Sequence, residues 1–430
     1  MTAEVYLWGT RIGTVAQEDA NSIARFRYDD KFLKSQIEVS PIKMPLSSQV
    51  YQFVDINVKT FHGLPGLLAD SLPDKYGTKL IERYLLEKGR DATSFSSVEK
   101  LCYIGKRGMG ALEYVPAHDI NLKDETVDIN ALVKLASDIL LERSSLYIND
   151  RERLMEQMIK VGTSAGGARA KAIVAWNEDK NDIRSGQIEA GAGYGYWLIK
   201  FDGVENNKDK SDKADGPSYT RIEYAYHLMA KAAGINMSEC RLYEESGNYH
   251  FMTRRFDREA DTGKKIHMQT LGALAHYDYN EPGIHSYEQV ASIIYRLGMK
   301  QDEVEQFFRR MVFNVLTRNQ DDHVKNIAFL MDMKGKWSLA PAYDITYAYE
   351  PNNFWLKRHQ MSISGKLDGF TLGDLLECGK KMNISKIRSE KMIREVRDAV
   401  SNWQEYAWEA KLSEAVFDEI SKQHLKLDND

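Results

Sequence analysis

Residues 319–326 read Asn-Gln-Asp-Asp-His-Val-Lys-Asn, and a further acid, Asp344, follows a short hairpin-like stretch. Asp321 and Asn326 stand five positions apart, the D-x-x-x-x-N spacing of phosphoryl-transfer loops. The residue types suit that chemistry. A carboxylate such as Asp321 can take the proton of an acceptor hydroxyl. The amide oxygen of Asn326 is a hard, neutral ligand suited to Mg²⁺, and Asp344 adds a charged one. Asp322 is adjacent to Asp321, and the spacing to Asn326 selects Asp321 as the base. The same composition in an isolated turn would only cap secondary structure. What separates the two readings is Asp344 together with a set of nucleotide-side residues. His323 has no second His at ligand spacing; it reads as a structural hydrogen-bonder or a nucleotide contact.

On the nucleotide side, Lys200 interrupts the apolar run Tyr196–Phe201. A lysine there is either an edge-strand snorkeller or a phosphate-binding strand lysine. Its position after a glycine-rich loop and a strand favours the second. Glu223, near the start of the next helix, is either its partner or a first-turn acid stabilised by the helix dipole. The loop Val161–Lys171 contains Gly162, Ser164, Ala165, Gly166 and Gly167 and ends in Lys171. It is not a Walker A motif, since Ala168 stands where Lys-Ser/Thr is required. Its glycines can still present backbone N–H groups to phosphates. Gly105–Gly110 reads as a structural turn. Arg254, Arg255 and Arg258 surround Phe256 as surface charge or as part of a hinge near the nucleotide.

Positioning these residues requires rigid elements. Residues 1–60 look β-rich, with a hairpin over Val5–Val15 and a strand at Phe26–Tyr28. A helix is expected from about Lys75, a linker over 117–130 and another helix from 131. Strands are expected at Ala172–Trp176, Tyr196–Phe201 and Tyr249–Thr253, with 177–195 as a long connection. A helix with Ile222, Tyr226, Met229 and Ala230 on one face ends near Gly234. Val304, Phe307, Phe308, Met311, Val312, Val315 and Leu316 recur at helical spacing. They predict a buried helix that delivers the chain into Asn319–Asn326. Residues 327–339 form a hairpin around Gly335, and 385–423 read as helices.

Composition bounds the rest. At 430 residues, 43% hydrophobic and 28% charged, the chain can bury a large core and hold more than one domain. A net charge of −5 supplies no global field for nucleic acid. Cys102, Cys240 and Cys378 are scattered and odd in number, which argues against a disulfide framework or a zinc site. No secretory leader is apparent at the N-terminus, and no apolar run approaches the roughly 18 residues of a membrane span. A cytoplasmic protein with no membrane partner is expected.

Taken together, these motifs resemble the HipA-like serine/threonine kinases of bacterial type II toxin–antitoxin modules. The resemblance rests on Ser164–Lys171 as the glycine-rich loop, Tyr196–Phe201 as the lysine strand and Arg255-Phe256-Asp257-Arg258 at the hinge. It continues through Asp321–Asn326 as D-x-H-x-K-N and Ala340-Pro341-Ala342-Tyr343-Asp344 as the P-x-Y/F-D segment. Gly63–Asp74 and Gly105–Leu112 look like the family's N-terminal subdomain.

The resemblance implies an α+β, bilobal protein-kinase-like fold with an N-terminal β-rich subdomain (1–125), a nucleotide-binding part (131–260) and a mainly helical catalytic lobe (261–430). It implies ATP and Mg²⁺ as cofactors, Asp321 as base, and Asn326 and Asp344 as metal ligands. The nucleotide-side set becomes Ser164, Ala165, Gly166, Gly167, Lys171, Lys200, Arg254, Phe256, His323 and Tyr343. Ser164, or Thr163 beside it, would be an autophosphorylation site. The implied acceptor is a protein Ser or Thr, with aminoacyl-tRNA synthetases among the family's targets. The implied partner is a helix-turn-helix antitoxin of HipB type, through which operator DNA is mainly contacted. The rival readings are a small-molecule phosphotransferase and a catalytically silent antitoxin-binding module. This chain departs from the best-known members at Arg254, where they carry an acid, and at Ala168-Arg169-Ala170, where they read A-Q-E.

Overall fold

The computed structural model describes residues 1–87, 89, 95–117, 126–141, 151–162, 167, 169–187, 190–205, 207, 218–260 and 262–427. Alternation builds the first sheet. β1 (Thr2–Leu7) buries Ala3, Val5 and Leu7. Trp8 and Gly9 both take positive φ, +49° and +77°, the two-residue turn whose twist suits a hairpin to β2 (Thr10–Ala16). β3 (Arg25–Tyr28), β4 (Val50–Tyr51) and β5 (Leu112–Val115) complete an antiparallel sheet in the order β4-β3-β2-β1-β5. Between β4 and β5 run α1 (Val58–Phe61), α2 (Gly66–Ala69), α3 (Lys75–Glu87) and α4 (Ser97–Ile104).

α5 (Ile129–Leu140) and α6 (Arg151–Gly162) lead into the second sheet, of β6 (Lys171–Asn177), β7 (Asp182–Ser185) and β8 (Gly195–Lys200). α7 (Tyr219–Ala232) precedes β9 (Cys240–Glu245) and β10 (Asn248–Arg254), and the strand order is β7-β6-β8-β10-β9. Within the long connection expected over 177–195 lies a further strand, β7: the chain turns back at Asn181, φ +46°, and pairs Asp182 with Asn177. Ile183 is its one apolar anchor, 4% exposed, and a single apolar residue in a polar run carries no readable period.

The last third holds β11 (His267–Thr270), α8 (Leu271–Ala275), α9 (Tyr287–Arg296), α10 (Gln301–Leu316), β12 (Ala328–Met331) and β13 (Trp337–Leu339). α11 (Leu372–Lys381), α12 (Lys386–Ser401), α13 (Trp403–Glu409) and α14 (Glu414–Ser421) follow. α10 is the rigid element the spacing predicted. Its seven periodic apolar residues are all buried, each worth roughly 1.5–3 kcal/mol. Asp302 and Glu303 occupy its first turn, where acids favour the dipole. Its C-terminal end opens directly onto Thr317–Asn326.

Two apolar cores dominate. One joins the first sheet to α7–α14, from Ala3 through Tyr226 and Phe313 to Ile420. The other packs α3, α5 and α6 beneath the second sheet, from Tyr76 through Leu135 to Met252. The architecture is α+β, with the N-terminal segment contributing to both cores. No described helix is long and apolar enough to cross a membrane.

Candidate active site

The two neighbouring aspartates are held differently. Asp322 turns inward, its side chain 1% exposed. It accepts from Tyr287 Oη at 2.7 Å and from the Gln360 backbone N–H at 2.7 Å, and lies 2.8 Å from His359 Nδ1. Burial raises the Asp322 carboxyl, but His359, the Tyr287 hydroxyl and the Gln360 N–H outweigh burial and hold it below the ordinary range. Both aspartates line a cavity of about 410 Å³, open mouth included, together with His323, Asn326, Tyr343 and Asp344; Asp321 is the more exposed there, its side chain at 17%.

The loop is fixed from both ends. Asn319 donates from its backbone N–H to Asn314 O at 3.0 Å and from Nδ2 to Asn314 Oδ1 at 2.9 Å. Gln320 N–H donates to Ala348 O at 3.1 Å. Asn326 Nδ2 donates to Asp321 O at 2.9 Å, which leaves the amide oxygen as its acceptor. His323 Nδ1 accepts from Lys325 N–H at 3.2 Å, and its Nε2 lies 3.6 Å from Asp321 Oδ1. His323 thus caps the turn Val324–Asn326 and faces the cavity as well. Tyr343 donates to Lys325 O at 2.7 Å, and its ring lies 5.6 Å from that of Phe256.

Asp344 takes φ +56°, a conformation a non-glycine residue adopts at some cost and one that clusters at functional sites. Its Oδ1 lies 2.5 Å from Lys200 Nζ, which also donates to Glu223 Oε1 at 2.7 Å. Glu223 is therefore the partner of Lys200, its side chain 2% exposed, and Tyr219 Oη donates to its other oxygen at 3.1 Å. Burial pushes the Lys200 ammonium down, but Asp344 and Glu223 outweigh it and hold it well above its usual value. Burial raises the Asp344 carboxyl, yet Lys200, with Arg169 and Lys171 beyond it, holds it well below the carboxylate range. Sealed Glu223 stays raised, because burial outweighs Lys200 there.

Lys171 differs from the expectation of a loop lysine. It begins β6 as the cross-strand partner of Lys200, and its Nζ forms a buried ion pair with Asp74 at 2.9 Å. Gly167, φ +103°, packs against that ammonium: a Cβ there would meet Lys171 Nζ at 2.8 Å. Thr163, Ser164, Ala165 and Gly166 lie outside the described residues. Arg254 ends β10 with its guanidinium 3.4 Å from Glu239, and Arg255 and Arg258 clamp Asp257 at 2.6 and 2.8 Å. Gly110 N–H donates to the same carboxylate at 2.7 Å. The Gly105–Gly110 turn is structural, and this buried knot ties the segment after β10 to the turn that leads into β5.

The model of the HipA-like C-terminal domain matches residues 163–403, more than half of the chain, and that of the HipA N-terminal domain matches residues 3–115. The chain belongs to the HipA-like family. A Haemophilus influenzae putative kinase is 29% identical over 162 residues, 34% of this HipA-like chain and 46% of that protein. The Sinorhizobium fredii putative kinase Y4dM is 25% identical over 189 residues, 39% of this chain and 41% of that protein. The chain thus spans less than half the length of these curated relatives. A chain from the solved Shewanella oneidensis MR-1 complex of HipA, HipB and operator DNA matches with a TM-score of 0.69. It is 16% identical and covers 98% of this chain and 95% of that one. The HipA-like chain therefore has the bilobal, kinase-like α+β fold.

The donor set of the HipA-like site suits a nucleotide with magnesium. One carboxylate, Asp344, and one amide oxygen, Asn326, share the cavity, and magnesium is usually bound by one or two protein ligands plus substrate phosphates. Lys200 stands beside Asp344. Tyr287, His359 and Gln360, which anchor Asp322, carried no signal in the sequence, because their partner lies more than 30 positions away in each case.

Proposed function

We propose that this HipA-like chain is an ATP-dependent protein serine/threonine kinase. The observation that supports it most is the difference between Asp321 and Asp322 on the wall of one cavity: Asp322 is held by Tyr287, His359 and the Gln360 N–H, while Asp321 is the more exposed and shares the cavity with Asn326 and Asp344. Asn326 and Asp344 would hold Mg²⁺, which when bound neutralises charge developing on the phosphate oxygens. Lys200, kept charged by Glu223 and Asp344, clamps the phosphates. Phe256 and Tyr343 wall the nucleotide side, and His323 steadies Asp321. Asp321 orients an acceptor hydroxyl and takes its proton as the oxygen bonds to the γ-phosphorus and the bond to the bridging oxygen breaks, releasing ADP.

Ser164, or Thr163, is the proposed autophosphorylation site; a phosphate there would repel the phosphates the loop is to cover and switch the enzyme off. Gly166, Gly167, Ala165 and Lys171 belong to or support that cover, and Arg254 lies at the hinge. The proposed partner is a HipB-type antitoxin, by analogy with the Shewanella complex, and the net charge of −5 leaves operator DNA mainly to that antitoxin. An aminoacyl-tRNA synthetase is the proposed acceptor class. Intact-mass spectrometry after incubation with ATP and Mg²⁺ tests the reading. The wild type gains one phosphate and Asp321→Ala gains none; no added phosphate on the wild type, or an equal gain in both, contradicts it.

A further inference from the structure

Arg310 on α10 is a buried cation at the cavity, and the site described above gives it no task. It lines the cavity wall and is 6% exposed. Its neighbour Arg309 is paired in the usual way, with Glu395 at 2.6 Å and Ala233 O at 2.8 Å. Arg310 has no ion-pair partner among the described residues. Its Nη2 donates to Ala340 O at 2.7 Å, and its Nε is buried with no hydrogen-bond partner among them. Burial pushes the guanidinium down to about 10, against the raising influence of Glu303 on the same helix, so the group is charged at neutral pH. A buried charge of this kind is costly, and an apolar side chain of similar volume is often neutral or stabilising in its place. Stability alone gives no reason for an arginine here.

The carbonyl it holds supplies the reason. Ala340 opens the segment Ala340–Asp344, which brings Asp344 to the cavity. That segment is also tied down elsewhere: Ala340 N–H donates to Ala328 O at 2.9 Å, Ala342 N–H to Asn236 O at 2.8 Å, and Tyr343 Oη to Lys325 O at 2.7 Å. Arg310 adds a tie to α10, the helix whose C-terminal end delivers Asn319–Asn326. One rigid helix is thus the reference for both candidate metal ligands, Asn326 through its end and Asp344 through Arg310. Asp344 sits at φ +56°, a conformation that persists only where the surroundings over-determine it.

We propose that Arg310 is a positioning residue that fixes the separation of Asn326 and Asp344 and with it the fit of the site to Mg²⁺. The proposal rests on the kinase reading above. Groups that orient a metal's ligands commonly change its affinity roughly 10–100-fold when removed. Magnesium is the sensitive probe, because it demands near-octahedral geometry whereas calcium accepts flexible coordination. A loosened ligand pair therefore weakens Mg²⁺ more than Ca²⁺. A general loss of structure weakens both, and the metal-free nucleotide with them.

Calorimetric titration of the full chain with the non-hydrolysable ATP analogue AMP-PNP reads the difference, at a series of Mg²⁺ and of Ca²⁺ concentrations and in EDTA. Arg310→Met is expected to raise the Mg²⁺ concentration for half-maximal tightening of AMP-PNP about tenfold, and the Ca²⁺ concentration by less than about threefold. AMP-PNP affinity in EDTA is expected to stay within about twofold of wild type. Arg310→Lys keeps a charged donor and loses the planar fork. It is expected to raise the Mg²⁺ requirement about threefold, and serves as the reading if the methionine variant does not fold. A Mg²⁺ requirement within about twofold of wild type in every variant that folds overturns the proposal. Equal weakening in Mg²⁺, Ca²⁺ and EDTA also overturns it, since that is a structural role. A wild type whose AMP-PNP affinity does not respond to Mg²⁺ defeats the metal assignment of the kinase reading itself, and the proposal falls with it.

Discussion

Asp321 and Asp322 are neighbours in sequence with opposite environments, and the difference predicts how each tolerates change. Replacing Asp322 by Ala strands the Tyr287 hydroxyl and the Gln360 N–H beside a buried His359. It is expected to cost roughly 2–4 kcal/mol in urea unfolding, the range for breaking a buried charged network. The same change at Asp321, on the cavity wall, is expected to cost less than about 1 kcal/mol. The D-x-x-x-x-N spacing made Asp321 legible, because five residues on one loop fix a local geometry. The role of Asp322 was not legible: a buried carboxylate is explained by its partners, and Tyr287 and His359 come from α9 and a distant loop. Glu223 was readable only as one of two alternatives, since a first-turn acid looks the same whether it faces water or a lysine.

At the scale of elements, the strongest sequence signal produced the most rigid piece. The apolar period of α10 predicted a buried helix, and that helix is what aims Asn319–Asn326 at the cavity. β7 was hidden because four residues with one buried Ile carry no period. β6 is less obvious in another way. Its first residue, Lys171, looked like part of a loop, yet the ladder with β8 captures it and Asp74 compensates its charge. This ion pair ties the segment after α2 to the second sheet. Lys171→Met leaves the Asp74 carboxyl buried with only the Gly77 N–H and no ion-pair partner, and is expected to cost roughly 3 kcal/mol. The double variant Lys171→Met/Asp74→Asn should recover much of that loss, as a double-mutant cycle on urea midpoints would read.

Over the whole molecule, the N-terminal segment is an integral part of the fold. Its sheet shares one core with the helical lobe, and its α3 shares the other with α5 and α6. Asp70 accepts from Thr270 N–H and Oγ1 at 2.6 and 2.8 Å, and Gly110 caps Asp257. The sequence showed this segment as a β-rich stretch before a polar linker; that it divides between two cores depends on contacts more than 100 residues apart.

The same burial sets a pH response. His62, His227, His250, His267, His276 and His424 are pushed down to about 4, chiefly by burial. Their folded values lie below the unfolded one of about 6.5, so the unfolded chain binds more protons between the two. That contribution is complete above about pH 6.5 and is lost as pH falls toward 4, by up to roughly 1.4 kcal/mol per pH unit for each group. Burial raises Asp70, Asp74, Glu223, Glu245 and Glu303, which acts in the opposite direction, but these five are fewer than the six histidines. Urea midpoints are expected to drop between pH 7.5 and 5; a flat profile would count against neutral buried histidines.

We propose Asp321 as the base at a phosphoryl-transfer site. The most direct test is the single-turnover rate of phosphate transfer by Asp321→Asn, in protein shown to melt and to bind Mg–AMP-PNP like the wild type. The rate is expected to fall by about 10²–10⁴-fold, the range for a positioned general base. A transfer rate equal to wild type, with folding and nucleotide binding intact, would contradict the assignment.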